Sequence, residues 1–457
     1  MVIHGAGATP IHSSSSLHRG LHNELMELLE LSRWLCESES VLRPELEQGM
    51  LELEREFNLI PSTDVFEHEK LLSNYSRYLR RTWLRFAADQ SSRVLRTPTV
   101  HQSQRLSRFH DSYGYERDYQ PVSLEKRCKH FFPKPPAPWS AKAILFSSGQ
   151  AALTCALLAA NALAARQGGT TFVRHNGAYF ETGKLVRNYL NKGTERLDDA
   201  SAVVSEPVFY EEGFRRPEDT DPGPHHTQDT EVHIIDTTLQ PHDMDIGDHM
   251  HATNAQYVVR LTSGLKLLQA GLELSNMGIL LVHARDQSRL ESFCSELREL
   301  RTLTGTGLSF FAALTLEAPF VFDNAYTRTY ESAVFENNAK LARAVAGSDT
   351  PPKLCPHPSL FAPDAKSPFC AFQISRCDGS LDAIADTIEA EAKRRNLYFE
   401  RGGSFGFRNH RFEVVKPDES PAFLRVSMGR RSGGSFDGIV ELLKDVCAAP
   451  AYGIRLA

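Results

Sequence analysis

A chain of 457 residues with 41% apolar and 24% charged residues is long enough for two or three domains with full cores, and its mix is that of an ordinary globular protein. The net charge of -6 argues against a nucleic-acid or anionic-membrane surface. Eight scattered cysteines form no C-x-x-C pair and no Cys/His cluster of zinc spacing, so they are expected as reduced thiols of a cytoplasmic protein with no metal site.

The N-terminus, MVIHGAGATPIHSSSSLHRG, has no apolar stretch of signal-peptide length and reads as a mobile polar tail to about residue 20. From Leu21 to about Arg105 the pattern is helical. HNELMELLELSRWL places Leu25, Leu28, Leu29 and Leu31 near three- and four-residue spacing. YSRYLRRTWLRFAADQSSRVLR is a second, basic helix whose arginines are expected on a solvated face. After residue 140 short apolar runs alternate with helical ones: AKAILFSS, GQAALTCALLAANALAARQ, TTFVRH, SAVVSEP, EVHIIDTT, AQYVVRLTS and MGILLVHA. That alternation predicts an α/β domain with a mainly parallel sheet flanked by helices. The apolar stretch AALTCALLAANALAA is too short to span a bilayer and reads as a buried helix. PEDTDPGPHHTQD reads as a polar surface loop. From about Ala333 a long helix leads into a segment mixing strands (FCAFQISR, FLRVSMG) with helices (SLDAIADTIEAEAKRR, FDGIVELLKDVC), a smaller α+β domain. The expected division is 1–105, an N-terminal tail and helical extension; 106–332, the large domain; and 333–457, the interdomain helix and small domain.

Several stretches carry chemistry-bearing residues, each with an ordinary reading beside the functional one. Leu145 to Ala159 is a strand, a Ser-Ser-Gly turn and a helix. Free N–H groups at such a helix start attract an anion, and Gly149 allows close backbone approach; the same turn is also a routine cap. Asp236 ends an apolar strand, where ligands of open α/β sheets bind, and could hold a pyridinium nitrogen or cap the next turn. Tyr179 and Phe180 offer rings for stacking, or for the core. Lys266 follows a strand and a Thr-Ser-Gly break and stands among leucines. It either snorkels or is desolvated to keep its amine reactive. Arg425 lies within an apolar strand and needs an anionic partner, from a substrate or from the protein itself.

The order of these pieces resembles that of fold-type-I enzymes using pyridoxal 5'-phosphate (PLP), in the Cys/Met-metabolism branch of the cystathionine γ-synthase and cystathionine lyase type. YERDYQPVSLEKR, SSGQAAL, YFETG, DTT and SGLK carry the resemblance, with weaker echoes in ENNAKLA, SFGF and LRVSMG, over about residues 110–445. The resemblance implies PLP in Schiff-base linkage to Lys266, whose freed amine then shuttles protons at the substrate. It implies that Asp236 keeps the ring nitrogen protonated, that Tyr179 stacks on the ring and serves as a base, and that Thr238 lies beside the ring. Ser148, Gly149, Gln150 and Ser263 would bind the phosphate. Arg425, helped by Ser404, would clamp the substrate α-carboxylate. Tyr115 and Arg117 would reach the phosphate in a neighbouring subunit, which implies a homodimer or homotetramer with shared sites.

The departures lie nearest the substrate. Phe180-Glu181 replace two glycines, Ser404-Phe405-Gly406-Phe407 replaces Ser-Leu-Gly-Gly, and LLQAGLELSN follows the lysine. Cofactor binding therefore transfers better than substrate identity. The expected activity is elimination or replacement at the γ or β carbon of an amino acid, in a specialised biosynthetic role. A fold-type-I aminotransferase or decarboxylase, and a non-catalytic scaffold of the same fold, are the alternatives.

Overall fold

The computed structural model describes residues 14–97, 104–106, 111–113, 115–169, 172–176, 179–191, 200–207, 213–215, 230–346, 354–374, 381–417 and 421–448. The segments read as a polar surface loop (217–229) and as the start of the N-terminal tail fall outside them.

Six strands form the central sheet, in the spatial order Ser140–Phe146, Gly278–Ala284, Tyr257–Ser263, Val232–Asp236, Ala202–Ser205, Val173–Asn176. All six were legible as short apolar runs. Gly278–Ala284 runs antiparallel to both its neighbours, and the remaining pairs are parallel. Tyr257–Ser263 and Gly278–Ala284 are buried almost throughout, which is why they read as continuous apolar runs rather than alternating ones. The helices Gly149–Arg166 and Gln287–Thr304 pack on this sheet, with Ala156, Ala160, Phe293 and Leu297 in a shared core. Asp286 caps the second helix by accepting the Arg289 N–H at 2.8 Å, and Gly305 ends it in the left-handed region at φ 66°.

The consequence for the site is directional. In the five mutually parallel strands the chain leaves the sheet at one edge, at Phe146, Asn176, Ser205, Asp236 and Ser263. The antiparallel strand enters at that same edge, with Gly278 opposite both Phe146 and Ser263. Gly278 is required there: a Cβ would lie 2.0 Å from the Ser148 carbonyl oxygen.

A second sheet has the order Cys370–Gln373, Phe423–Ser427, His410–Val415, Phe399–Arg401. Leu381–Arg394 and Ser435–Ala448 cover it through Ile384, Ile388, Ile439 and Leu443. The two central strands of this sheet, Phe423–Ser427 and His410–Val415, are antiparallel with Glu413 directly opposite Arg425. The long helix Asn324–Val345 gives Tyr330, Val334 and Phe335 to one core and Leu341, Ala342 and Val345 to the core of this second sheet.

Three helices, Ser14–Ser38, Arg43–Leu59 and Val65–Ser92, make up the N-terminal layer. The first starts at Ser14, about two turns before the expected boundary near Leu21. Elongating an existing helix is cheap once the stripe Leu21, Leu25, Leu28 has fixed it against a neighbour. These helices pack onto the rest of the same chain, sharing a core with Leu268, Phe320 and Tyr330. Trp83 donates to the Thr315 carbonyl at 2.8 Å. No described helix is long and apolar enough to cross a membrane.

Candidate active site

The edge where the parallel strands end opens into a cavity of about 290 Å³. Its walls include Ser148, Gly149, Gln150, Tyr179, Asp236, Thr238, Ser263, Lys266, Ser404 and Arg425. Ten of the twelve residues to which the resemblance assigns a role thus meet around one space, whereas Phe180, the second candidate stacking ring, packs against a neighbouring core instead. The remaining two, Tyr115 and Arg117, do not line it. Tyr115 is 40% exposed, with the Arg117 guanidinium 5.3 Å from its ring centre.

Each wall follows from a strand end. After Phe146 the chain turns into the helix Gly149–Arg166, and Ser148 caps it by accepting the Ala151 N–H at 3.1 Å. The first-turn N–H groups of this 18-residue helix have no intrahelical partner and carry the positive end of its dipole. Gly149 packs closely on Ser263, since a Cβ at Gly149 would stand 3.3 Å from the Ser263 Cβ. Thr238 ties two strand ends together. Its Oγ1 accepts the Ser263 N–H at 3.0 Å, and its own N–H donates to Asp236 Oδ1 at 2.9 Å.

Lys266 lies on the turn after Tyr257–Ser263. Burial first, and the Arg425 charge second, depress its amine to about 8. At neutral pH roughly a tenth of such an amine is unprotonated, against well under a hundredth for a solvated lysine. Its Nζ donates to Ser404 Oγ and lies 5.2 Å from the Phe405 ring centre. Ser404 adopts φ 74°, a left-handed backbone that a residue with a Cβ rarely takes. Gly406 then brings the loop back against Lys266, where a Cβ would sit 2.7 Å from the Lys266 carbonyl oxygen.

Asp236 ends one strand, Glu206 stands just past the end of its parallel neighbour, and both face this pocket. Burial raises the Asp236 carboxyl despite its hydrogen bonds from Thr238. Burial, and then the nearness of Asp236, pushes Glu206 well above the usual carboxylate range. Glu206 Oε1 accepts the Tyr179 N–H at 3.1 Å, while its buried Oε2 has no partner. Tyr179 also stays protonated, because burial and then Glu181 raise its phenol to about 12.

Two residues of this site were not singled out from the sequence. Glu206 could have been found by the reasoning that found Asp236, as a carboxylate just past the end of a parallel strand. Glu413 could not, because its importance comes from a pairing between strands. It accepts from Arg425 Nε at 2.7 Å and from the second Arg425 nitrogen on the same oxygen, and it accepts the Ser404 N–H at 3.0 Å. Of the two partners left open for Arg425, the protein supplies one.

Among the described residues one group has metal-like proximity: His242, Asp243 and Glu331. Its buried members are already engaged. His242 Nδ1 pairs with Glu331 at 2.8 Å, and Nε2 pairs with Asn324 at 3.0 Å.

No protein-family model matches the sequence, and neither does any curated protein. Among solved structures, the chain is similar to a methionine gamma lyase from Micromonospora echinospora, with 16% identity, 78% of this chain and 92% of that one covered, and a TM-score of 0.49. It is also similar to cystathionine gamma synthase from Xanthomonas oryzae pv. oryzae, in a complex with aminoacrylate and cysteine, with 18% identity, coverage of 79% and 97%, and a TM-score of 0.47.

Proposed function

We propose that this chain is a PLP-dependent enzyme acting on an amino compound, with elimination or replacement at the γ or β carbon as its reaction. One observation carries the reading. A lysine depressed to about 8 and a strand-end carboxyl pushed up by burial face one pocket, beside a helix start with free N–H groups. A pyridinium N–H answers what Asp236 and the unpartnered Glu206 Oε2 lack, and a phosphate answers the helix N-terminus. When bound, PLP supplies an electron sink for carbanion chemistry next to the amine.

The chain's own residues divide the remaining work. Lys266 holds PLP covalently and, once released, moves protons between the substrate's α and β carbons. Its depressed basicity lets it take a proton near neutral pH without first being a fully charged ammonium. Ser404 Oγ accepts from Lys266 Nζ and so fixes the direction of the amine. Ser148, Gly149, Gln150 and Ser263 bind the phosphate, and Thr238 braces Asp236 against the strand that leads to Lys266. Tyr179, protonated at neutral pH, stacks on the ring and offers its O–H as a hydrogen-bond donor. Phe405 and Leu239 keep water from the reacting end. Tyr115 and Arg117 are proposed to serve a second subunit's pocket, which their position outside this one supports.

The test is a visible absorption spectrum of the protein with added PLP, before and after borohydride, followed by peptide mapping. The expected result is a band that borohydride abolishes, with the label on Lys266. A folded protein with no band, or with label elsewhere, overturns the proposal.

A further inference from the structure

The pocket's cations are few. Among its described lining residues only Lys266 and Arg425 carry positive charge, and the proposed function commits Lys266 to the cofactor. Arg425 is the remaining guanidinium that could take a substrate carboxylate, and Glu413 already holds it. The pairing is built into the sheet: the two residues stand directly opposite on antiparallel strands, so neither needs a long excursion to meet the other. Glu413 Oε1 takes both Arg425 nitrogens and the Ser404 backbone N–H, so moving it away leaves the N–H of the strained Ser404 without its acceptor as well. Gly403 leaves room for the second oxygen; a Cβ there would be 3.1 Å from Glu413 Oε2. A free carboxylate arriving here meets no unpaired cation, because Glu413 already occupies the Arg425 guanidinium.

We propose that Glu413 acts as a built-in carboxylate on Arg425, and that the substrate is a primary amine whose α-carboxyl group is masked as a neutral derivative or is absent. This inference rests on the PLP reading and narrows it. Elimination or replacement at the β or γ carbon remains open to an amide or ester of an amino acid, because the α proton of such a compound is at least as acidic as that of the free acid. Specificity then comes from competition: the free acid must displace the Glu413 carboxylate from Arg425 to find a cation, and the neutral derivative faces no such cost.

The experiment uses full-length, PLP-loaded protein and follows the visible band during titration with L-alanine, L-alaninamide and ethylamine. Binding constants are referred to the neutral amine, so that the different basicities of the three amines cancel. The expected result is that the amide and the simple amine bind at least about tenfold more tightly than the acid. In Glu413→Gln, which keeps an oxygen for the Ser404 N–H but frees the Arg425 charge, the acid gains at least about tenfold and the preference disappears. The inference is overturned if wild type binds the acid as tightly as the amide, if none of the three binds, or if Glu413→Gln leaves the acid-to-amide ratio unchanged. A protein that shows no PLP band at all refutes the cofactor reading instead, and the two failures are distinguished by the spectrum taken before any amine is added.

Discussion

Two regions of this molecule bury charge, and they do so in opposite ways. Beneath the N-terminal helices, Glu24 and Glu27 meet Arg408, Arg430 and Arg431. Arg431 Nε donates to Glu24 at 2.9 Å, Arg408 to Glu27 at 2.9 Å, and Arg430 to Glu27 at 2.8 Å. Burial works against ionising Glu24, yet Arg431 and Arg408 outweigh it and hold the carboxyl at about 2. In the pocket burial wins instead. Asp236 and Glu206 are pushed up, Lys266 is pushed down, and Glu206 Oε2 is left without a partner. Charge that is answered inside the chain serves the fold. Buried ionisable groups pushed toward their neutral forms and gathered around one cavity define the candidate site.

The two regions are linked. Arg408 follows the loop that carries Ser404 and Gly406, so the N-terminal layer grips the segment that closes over Lys266. The extension therefore has a visible task within its own chain, in addition to any role in oligomer contacts.

Breaking the contrast on the pocket side gives the largest effect. Lys266→Ala should abolish borohydride-fixable PLP and lower turnover by about 10³-fold or more, while leaving the melting temperature of the cofactor-free protein unchanged or higher. Loss of the fixed label together with a large fall in thermal stability would mean that the lysine serves the fold. On the paired side, Glu24→Gln should cost about 3–5 kcal/mol in urea unfolding, since it leaves buried guanidinium charge without its carboxylate. The sign with pH follows from the depressed carboxyl. The Glu24 contribution is complete above its unfolded value near 4.5 and is lost as pH falls from there toward about 2. The variant should lack that acid limb.

Glu206 should behave in reverse. Its folded value is raised, so the stability tied to its proton is complete below pH 4.5 and is lost as pH rises through the higher folded value. Glu206→Gln should flatten that slope and stabilise the cofactor-free protein by about 1 kcal/mol at pH 7, read from thermal melts across pH. The rate of PLP capture should rise with pH and level off above about 8, as Lys266 loses its proton. A plateau near the value of an ordinary lysine would show that the pocket does not desolvate it. The smallest effect is expected at the surface pair Arg77–Glu400, at 2.6 Å, which joins the N-terminal layer to the second sheet in solvent. Arg77→Ala should change stability by less than about 1 kcal/mol.

Much of the fold and of the pocket was legible in advance because both depend on local signals. Apolar runs gave the six strands of the central sheet, and a Ser-Ser-Gly turn before an apolar helix gave one wall of the pocket. Asp236 and Lys266 stood out because one ends a strand and the other follows a strand by a short turn, and parallel strands release their chains at one edge of a sheet. Glu206 obeys the same rule and was within reach of it.

What the sequence alone could not determine is which buried charges answer one another. It left Arg425 open to a substrate carboxylate or a protein one, and only the antiparallel register that sets Glu413 opposite it decided the matter. It presented Glu24 and Arg431 as charges 407 residues apart, and only packing of the first helix against the segment after the strand Phe423–Ser427 made them a pair. Strand ends and helix starts are properties of a few consecutive residues, so composition and spacing determine them. Pairing of charges is a property of distance in space, and chain separation carries no information about it.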